Sequence, residues 1–308
     1  MDAMKNNTRA MLAAGGAYSI FGLSYLFSKM ALGAAEPSLL LAVRFAVTFL
    51  ALNLMLLCRA GRLRLKGKPV GMAVLMGVLQ PVLYFLLENY GLKYAASSFA
   101  GVVSSISPAL AIALGALILR ERPTLKQWIC AGLSMLGVML ISLMNAAGGS
   151  TTAAGCLCLL GAYTVGALHP ILARKLSKEF TAFEMTYIMF AVGFACFTAL
   201  AAVQYGAALP GALREAFASR DFTVGVLYLG LLSSVAAYLL INYSLKYLPV
   251  AASTIFGGLA TVVSVLAGVF IGGETFTLPQ ALAAALKAAN LTREDIDVVV
   301  TTGYGRET

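Results

Sequence analysis

The sequence predicts an all-α membrane protein made of two inverted five-helix repeats, with nine clear transmembrane helices and a polar tail where a tenth would stand. Three observations carry this expectation. Of the 308 residues, 60% are hydrophobic and only 11% are charged, against about 25% charged in a soluble domain. The apolar residues gather into runs long enough to cross a hydrocarbon core of ~30 Å. The second half of the chain also repeats the first.

Taken in order, the runs are 11–32, 38–58, 70–90, 95–119, 125–144, 152–173, 182–203, 222–243 and 250–271. The first is longer than the roughly 7–15 apolar residues of a signal peptide and reads as an uncleaved span. Pro81, Pro108 and Pro170 fall inside runs. Membrane helices tolerate them because neighbouring helices satisfy the freed backbone groups.

The net charge of +9 sits in the loops between runs. Lys5, Arg9, Arg59, Arg62, Arg64, Lys66, Lys68, Arg120, Arg122, Lys126, Arg174, Lys175, Lys178 and Lys246 fall on one side, whereas Lys93, Arg214 and Arg220 fall on the other. The excess of cations marks the cytoplasmic side, so a multi-pass protein of the inner or plasma membrane is expected, with its N-terminus inside. This pattern points to a lipid bilayer as the partner and away from nucleic acid. The five cysteines lie mostly within apolar runs, and His169 is the one histidine. No metal spacing, nucleophile–base pair or phosphate-binding glycine loop stands out, so no cofactor and no enzymatic activity are expected. A membrane transferase would need histidines and carboxylates gathered at one interface.

The repeat is legible residue by residue. Asn89-Tyr90-x-Leu92-Lys93-Tyr94 recurs as Asn242-Tyr243-x-Leu245-Lys246-Tyr247, an offset of 153, and Glu121-x-x-Thr124-Leu125-x-Gln127 recurs at the same offset as Glu274-x-x-Thr277-Leu278-x-Gln280. Earlier stretches align at an offset of 145, with Gly16-Ala17-Tyr18 on Gly161-Ala162-Tyr163 and Phe45-Ala46-Val47 on Phe190-Ala191-Val192. The difference is taken up by a longer loop expected around Gln204 to Asp221. This divides the chain into a first repeat (1–148), a second repeat (149–280) and a polar tail (281–308). Five spans per repeat invert the second copy. Inverted repeats are typical of secondary transporters, whose substrate sites lie near the bilayer midplane where the halves meet.

Arg44-Phe45, the two Asn-Tyr-x-Leu-Lys-Tyr segments, Ser107-Pro108, Glu121-Arg122 and Glu274 with Thr277 together resemble the EamA-type members of the drug/metabolite transporter superfamily, over about residues 10–280. The resemblance implies ten helices with both termini cytoplasmic. It also implies export or exchange of small metabolites, amino acids or amphipathic drugs; proton coupling and a homodimer are separate options for the chain's partners. The tail departs from that pattern. Thr292-Arg293-Glu294-Asp295-Ile296-Asp297 is too charged for hydrocarbon, at about 2.5–3.5 kcal/mol per charge. With a strand expected at 298–300, this stretch resembles a fragment of the hydroxyacyl-CoA dehydratase activator ATPases and reads as a fusion or frameshift segment joined near Gln280.

Polar residues at membrane depth are the candidate substrate ligands. Arg44 reads as a contact for an anion or carboxylate, or as the partner of Glu88. Glu88 has Ile241 as its repeat counterpart and reads as a proton-exchanging or substrate-facing carboxylate. Gln80 and Tyr84 share a helix face in the third span. Tyr18, Tyr163, Tyr187 and Tyr238 are candidates to line a cavity, and His169 beside Pro170 is a candidate for coupling. Asn89 and Asn242 read first as interhelical hydrogen-bonding groups, with Asn242 kept as a ligand candidate. Lys29 reads as a snorkelling side chain. With nine spans, a C-terminal tag is expected outside the cell, and impermeant labelling of that tag checks it; a cytoplasmic tag excludes nine.

Overall fold

The computed structural model describes residues 2–94, 106–120 and 153–257, with 122–126, 128, 129, 132, 259, 260, 263, 266, 267 and 271 besides. The tail 281–308, most of the fifth and much of the ninth predicted spans, Glu121 and Glu274 lie outside the described residues, as do the side chains of Lys29 and Asn89. Among the described residues every regular element is helical. Six helices are long and apolar enough to cross a membrane: Asn6–Leu32, Pro37–Leu57, Val70–Glu88, Ala153–Leu176, Ala182–Ala218 and Arg220–Tyr247. They match the first, second, third, sixth, seventh and eighth predicted spans.

Local chemistry sets the helix ends. α1 spans Asp2–Leu32. α2 (Pro37–Leu57) starts on a proline after an extended Glu36, because a fixed φ and a missing N–H suit the first helical turn. The third span is broken into α3 (Val70–Gly77), a wide π-helical stretch Val78–Leu83, and α4 (Tyr84–Tyr94), with Gln80 extended inside it at φ −140°, ψ 116°. Pro81 has no N–H to continue the ladder. α5 is Ile106–Leu119, and α6 (Ala153–Leu176) carries Arg174 and Lys175 in its last turn, where cations oppose the helix dipole. α7 (Ala182–Tyr205) opens with a capping box in which Thr181 and Glu184 bond each other's backbone N–H.

The stretch expected as a loop around Gln204 to Asp221 is helical instead. A single 3₁₀ turn at Gly206–Ala208 leads into α8 (Leu209–Ala218). Leu209, Ala212, Leu213 and Ala216 recur at the spacing of one helix face, and that face belongs to the apolar cluster that includes Ala31, Leu39, Leu40 and Phe222. The chain then continues through α9 (Arg220–Leu227), a second π-helical stretch (Tyr228–Ala236), α10 (Ala237–Tyr247) and α11 (Val250–Ile255). Shifted by the repeat offset of 153, the stretch 78–83 falls within Tyr228–Ala236, so the third and eighth spans widen at corresponding places.

The main packing pairs are α4 on α6, α1 on α10 and α2 on α7. In repeat terms α1 corresponds to α6 and α10 to α4, so the first two pairs are one pairing made twice with the halves exchanged. Single residues repeat it. Gly77 lies against Met189 and Val192, and Gly230, its counterpart, lies against Arg44 and Val47, their counterparts. At the centre, Phe45 meets Phe190, its own counterpart, with ring centroids 5.3 Å apart, and meets Phe197 at 5.0 Å.

The loops gather at two ends. Ala10 and Met11 pack with Leu248 and Ala252, Arg174 Nη1 donates to the carbonyls of Leu245 and Lys246, and Lys68 pairs with Glu184. Arg9, Arg59, Arg62, Arg64, Lys66, Lys68, Arg174, Lys175, Lys178 and Lys246 therefore share one end. The opposite end holds the α1–α2 turn, α8 and the start of α9 around Ala31, Leu39 and Phe222.

A Cβ added to Gly230 would stand 2.7 Å from Val47 Cγ1 and 3.3 Å from the Arg44 carbonyl, while one on Gly211 would meet open space. Gly230→Leu is expected to cost about 1–3 kcal/mol by overpacking, read as a lowered Tm in detergent, with Gly211→Ala as the unaffected control.

Candidate functional site

Both widened stretches put polar side chains where the helices of the two halves meet. Arg44 projects from α2 and is only 7% exposed. Its Nε donates to Ser234 Oγ at 2.9 Å and its Nη2 to Ser233 Oγ at 3.3 Å, both hydroxyls coming from the second π-helical stretch. The guanidinium carbon also lies 5.3 Å from the centre of the Phe85 ring and 6.0 Å from that of Phe45. A buried cation needs such partners, because hydrocarbon offers none. Thr48 ties the same two elements, its Oγ1 reaching the carbonyls of Arg44 at 2.8 Å and Gly230 at 3.0 Å.

The first π-helical stretch acts in the reverse sense. Gln80 Nε2 donates to the Tyr238 hydroxyl on α10 at 2.9 Å. The Tyr238 ring packs edge-on against Phe21 of α1, Phe190 of α7 and His169 of α6, at 5.4, 5.1 and 5.7 Å between centroids. Tyr18 stands edge-on to Phe21 at 6.1 Å. One helical turn beyond Gln80, the Tyr84 hydroxyl donates to Glu88 Oε1 at 2.7 Å, and its ring meets those of Phe85 at 5.2 Å and Tyr163 at 6.4 Å.

These contacts link Arg44, Gln80, Tyr84, Glu88, Tyr18, His169 and Tyr238 into one cluster drawn from α1, α2, the third span, α6 and the eighth span. Arg44 and Glu88 do not form the direct pair that was one expectation. The arginine's hydrogen bonds go to the serines and the glutamate's goes to Tyr84. Asn242 stands apart: its Nδ2 donates to Thr186 Oγ1 on α7 at 3.0 Å, the interhelical tie the sequence suggested. Tyr187 donates to Asn53 Oδ1 of α2 at 3.0 Å, another such tie. His169 Nε2 and Asn242 Oδ1 are buried with no hydrogen-bond partner. Among the described residues, no three of His, Cys, Asp or Glu converge where a metal could bind.

Sequence reasoning missed Ser233 and Ser234, although the offset of 153 makes them the counterparts of Gln80 and Pro81. The repeat therefore carried a usable signal. It also paired Phe190 with Phe45 and Phe85 with Tyr238, but their rings look like any others in apolar spans.

A polar, partly charged cluster among six helices long and apolar enough to cross a membrane is the architecture of a multi-pass membrane protein. The profile of the EamA-like transporter family matches the chain twice, over residues 8–143 and 153–289, and the chain belongs to that family. It is 36% identical over 258 residues to a protein of Bacillus subtilis (strain 168) named uncharacterized transporter YcxC, covering 83% of each chain. A protein of Streptantibioticus cattleyicolor named probable terminal-alkyne amino-acid exporter is 26% identical over 193 residues, covering 62% of this chain and 61% of its own. A solved crystal structure, 21% identical, superposes with a TM-score of 0.74 over 95% of this chain and 98% of that one. The second family match runs to residue 289, nine residues past Gln280.

Replacing Ser233 and Ser234 together with alanine leaves the buried Arg44 guanidinium without its hydroxyl acceptors. The double variant is expected to lose about 1–3 kcal/mol, measured by thermal unfolding in detergent, and Ser→Thr at both positions to lose less.

Proposed function

We propose that the protein is a secondary transporter that exports or exchanges small metabolites, with amino acids foremost, by alternating access between two inverted halves, 1–148 and 149–280. The carrying observation is Arg44, a cation of the first half bonded to serines in the widened helix of the second. Polar groups at such breaks are the usual ligands of transporter sites at the midplane. The inverted arrangement is supported by the packing pairs that recur with the halves exchanged and by the double family match. The gathering of cations at one end supports a cytoplasmic N-terminus by the positive-inside rule.

In this reading Arg44 exchanges its serine hydroxyls for a substrate carboxylate. Glu88, released from Tyr84, receives an ammonium group or a proton, and the rings of Tyr238, Tyr18 and Phe21 contact the apolar part. The relative named as an amino-acid exporter supports a zwitterionic substrate. Rejection of analogues lacking the carboxylate then follows from leaving Arg44 without an acceptor.

Proteoliposomes holding the purified chain test this with a panel of labelled amino acids, with and without a proton gradient. Saturable flux is expected. Arg44→Gln is expected to lower it by at least about tenfold through loss of a buried charge contact, while Lys178→Gln, on the exposed turn after α6, leaves it unchanged. Absence of flux for every amino acid and every drug-like cation or anion tried would sink the proposal.

A further inference from the structure

The connector after α2 (58–69) and the connector after α7 (206–219) hold corresponding places in the repeat, at opposite ends of the molecule. Each is fastened to the other half at the same position and by different chemistry. At the basic end the fastening point is Glu184 in the first turn of α7, 2% exposed. Its carboxylate accepts from Lys68 Nζ at 2.6 Å, from the backbone N–H of Arg64 at 2.9 Å and from that of Thr181 at 2.8 Å. Lys68 is 21% exposed and also lies 5.1 Å from the centre of the Phe180 ring. The connector from Cys58 to Pro69 has no fully buried residue, though Leu65 packs against the core and Gly61 lies against the Phe183 ring of α7.

The counterpart of Glu184 at the offset of 145 is Leu39, in the first turn of α2. Leu39 is buried in an apolar cluster that also takes in Leu209, Ala212, Leu213 and Ala216 of α8. One position in the repeat is thus a carboxylate ringed by three donors at one end and an apolar seat at the other.

We infer that Lys68 and Glu184 form an ionic latch that closes the pathway at the basic end, and that α8, within the apolar cluster that holds Leu39, is the lid of the opposite end. The inference rests on the alternating-access reading. A charged pair suits a closure that must reopen to water, because both ions recover their hydration when they part. An apolar lid opens at a free energy set by the area it exposes. The two closures are opposed: releasing the latch favours the state open at the basic end, in which the lid sits tighter.

Hydrogen–deuterium exchange on the full chain in lipid nanodiscs reads both ends without needing flux. Lys68→Met keeps the apolar stem and removes the charge. It is expected to raise amide exchange over 58–69 and to lower it over 209–218, each by at least about threefold as the population shifts. Lys68→Arg is expected to match the unsubstituted protein. Raised exchange at 58–69 with 209–218 unchanged makes the pair a local staple and overturns the latch, as does no change at either end. Reciprocal exchange in a protein without flux would reject the transport reading and leave the latch standing.

Discussion

A guanidinium held inside a membrane helix constrains everything around it. Arg44 cannot remain charged in hydrocarbon on its own, since a cation there is costly even on the mildest insertion scales. Its acceptors come from the other half of the chain, where the eighth span widens and turns Ser233 and Ser234 toward it. The close approach of Gly230 to Val47 and the two bonds of Thr48 fix that distance. The charge thus ties the halves together at the point where a substrate is proposed to bind.

The two halves share a backbone plan and diverge in side chains. Gly77 and Gly230 keep the same close contact in both copies, because helix approach there leaves no room for a Cβ. Arg44 faces Met189 as its counterpart, Glu88 faces Ile241, and Glu184 faces Leu39. Where the fold needs a shape, both copies retain it. Where the copies differ, a charge stands in one and an apolar side chain in the other, which leaves a similar frame around an asymmetric polar cluster.

Two expectations changed on the structure. The long connector predicted around Gln204 to Asp221 is mostly the helix α8, since its apolar residues are too few to register as a span yet fall on one face that joins the apolar cluster of Leu39 and Leu40. Arg44 bonds serines in preference to Glu88 because α4 turns the glutamate toward Tyr84, one turn away on its own helix. Neither outcome follows from hydropathy, which averages over helix faces and carries no register between helices.

The sequence alone determined the membrane class, the positions of the six long helices seen here and the pairing of one half with the other. These follow from run length, from charge in the loops and from a repeat that spans most of the chain, all of which are local or periodic signals. It also named the seven residues that the fold gathers, since polar side chains within apolar runs have few reasons to be there. Only the tertiary structure decided who bonds whom: Arg44 with Ser233 and Ser234, Gln80 with Tyr238, Lys68 with Glu184. Those choices depend on helix rotation and on the two widened turns, and a few degrees or one extra residue per turn redirects a side chain without altering the composition from which the helices were read.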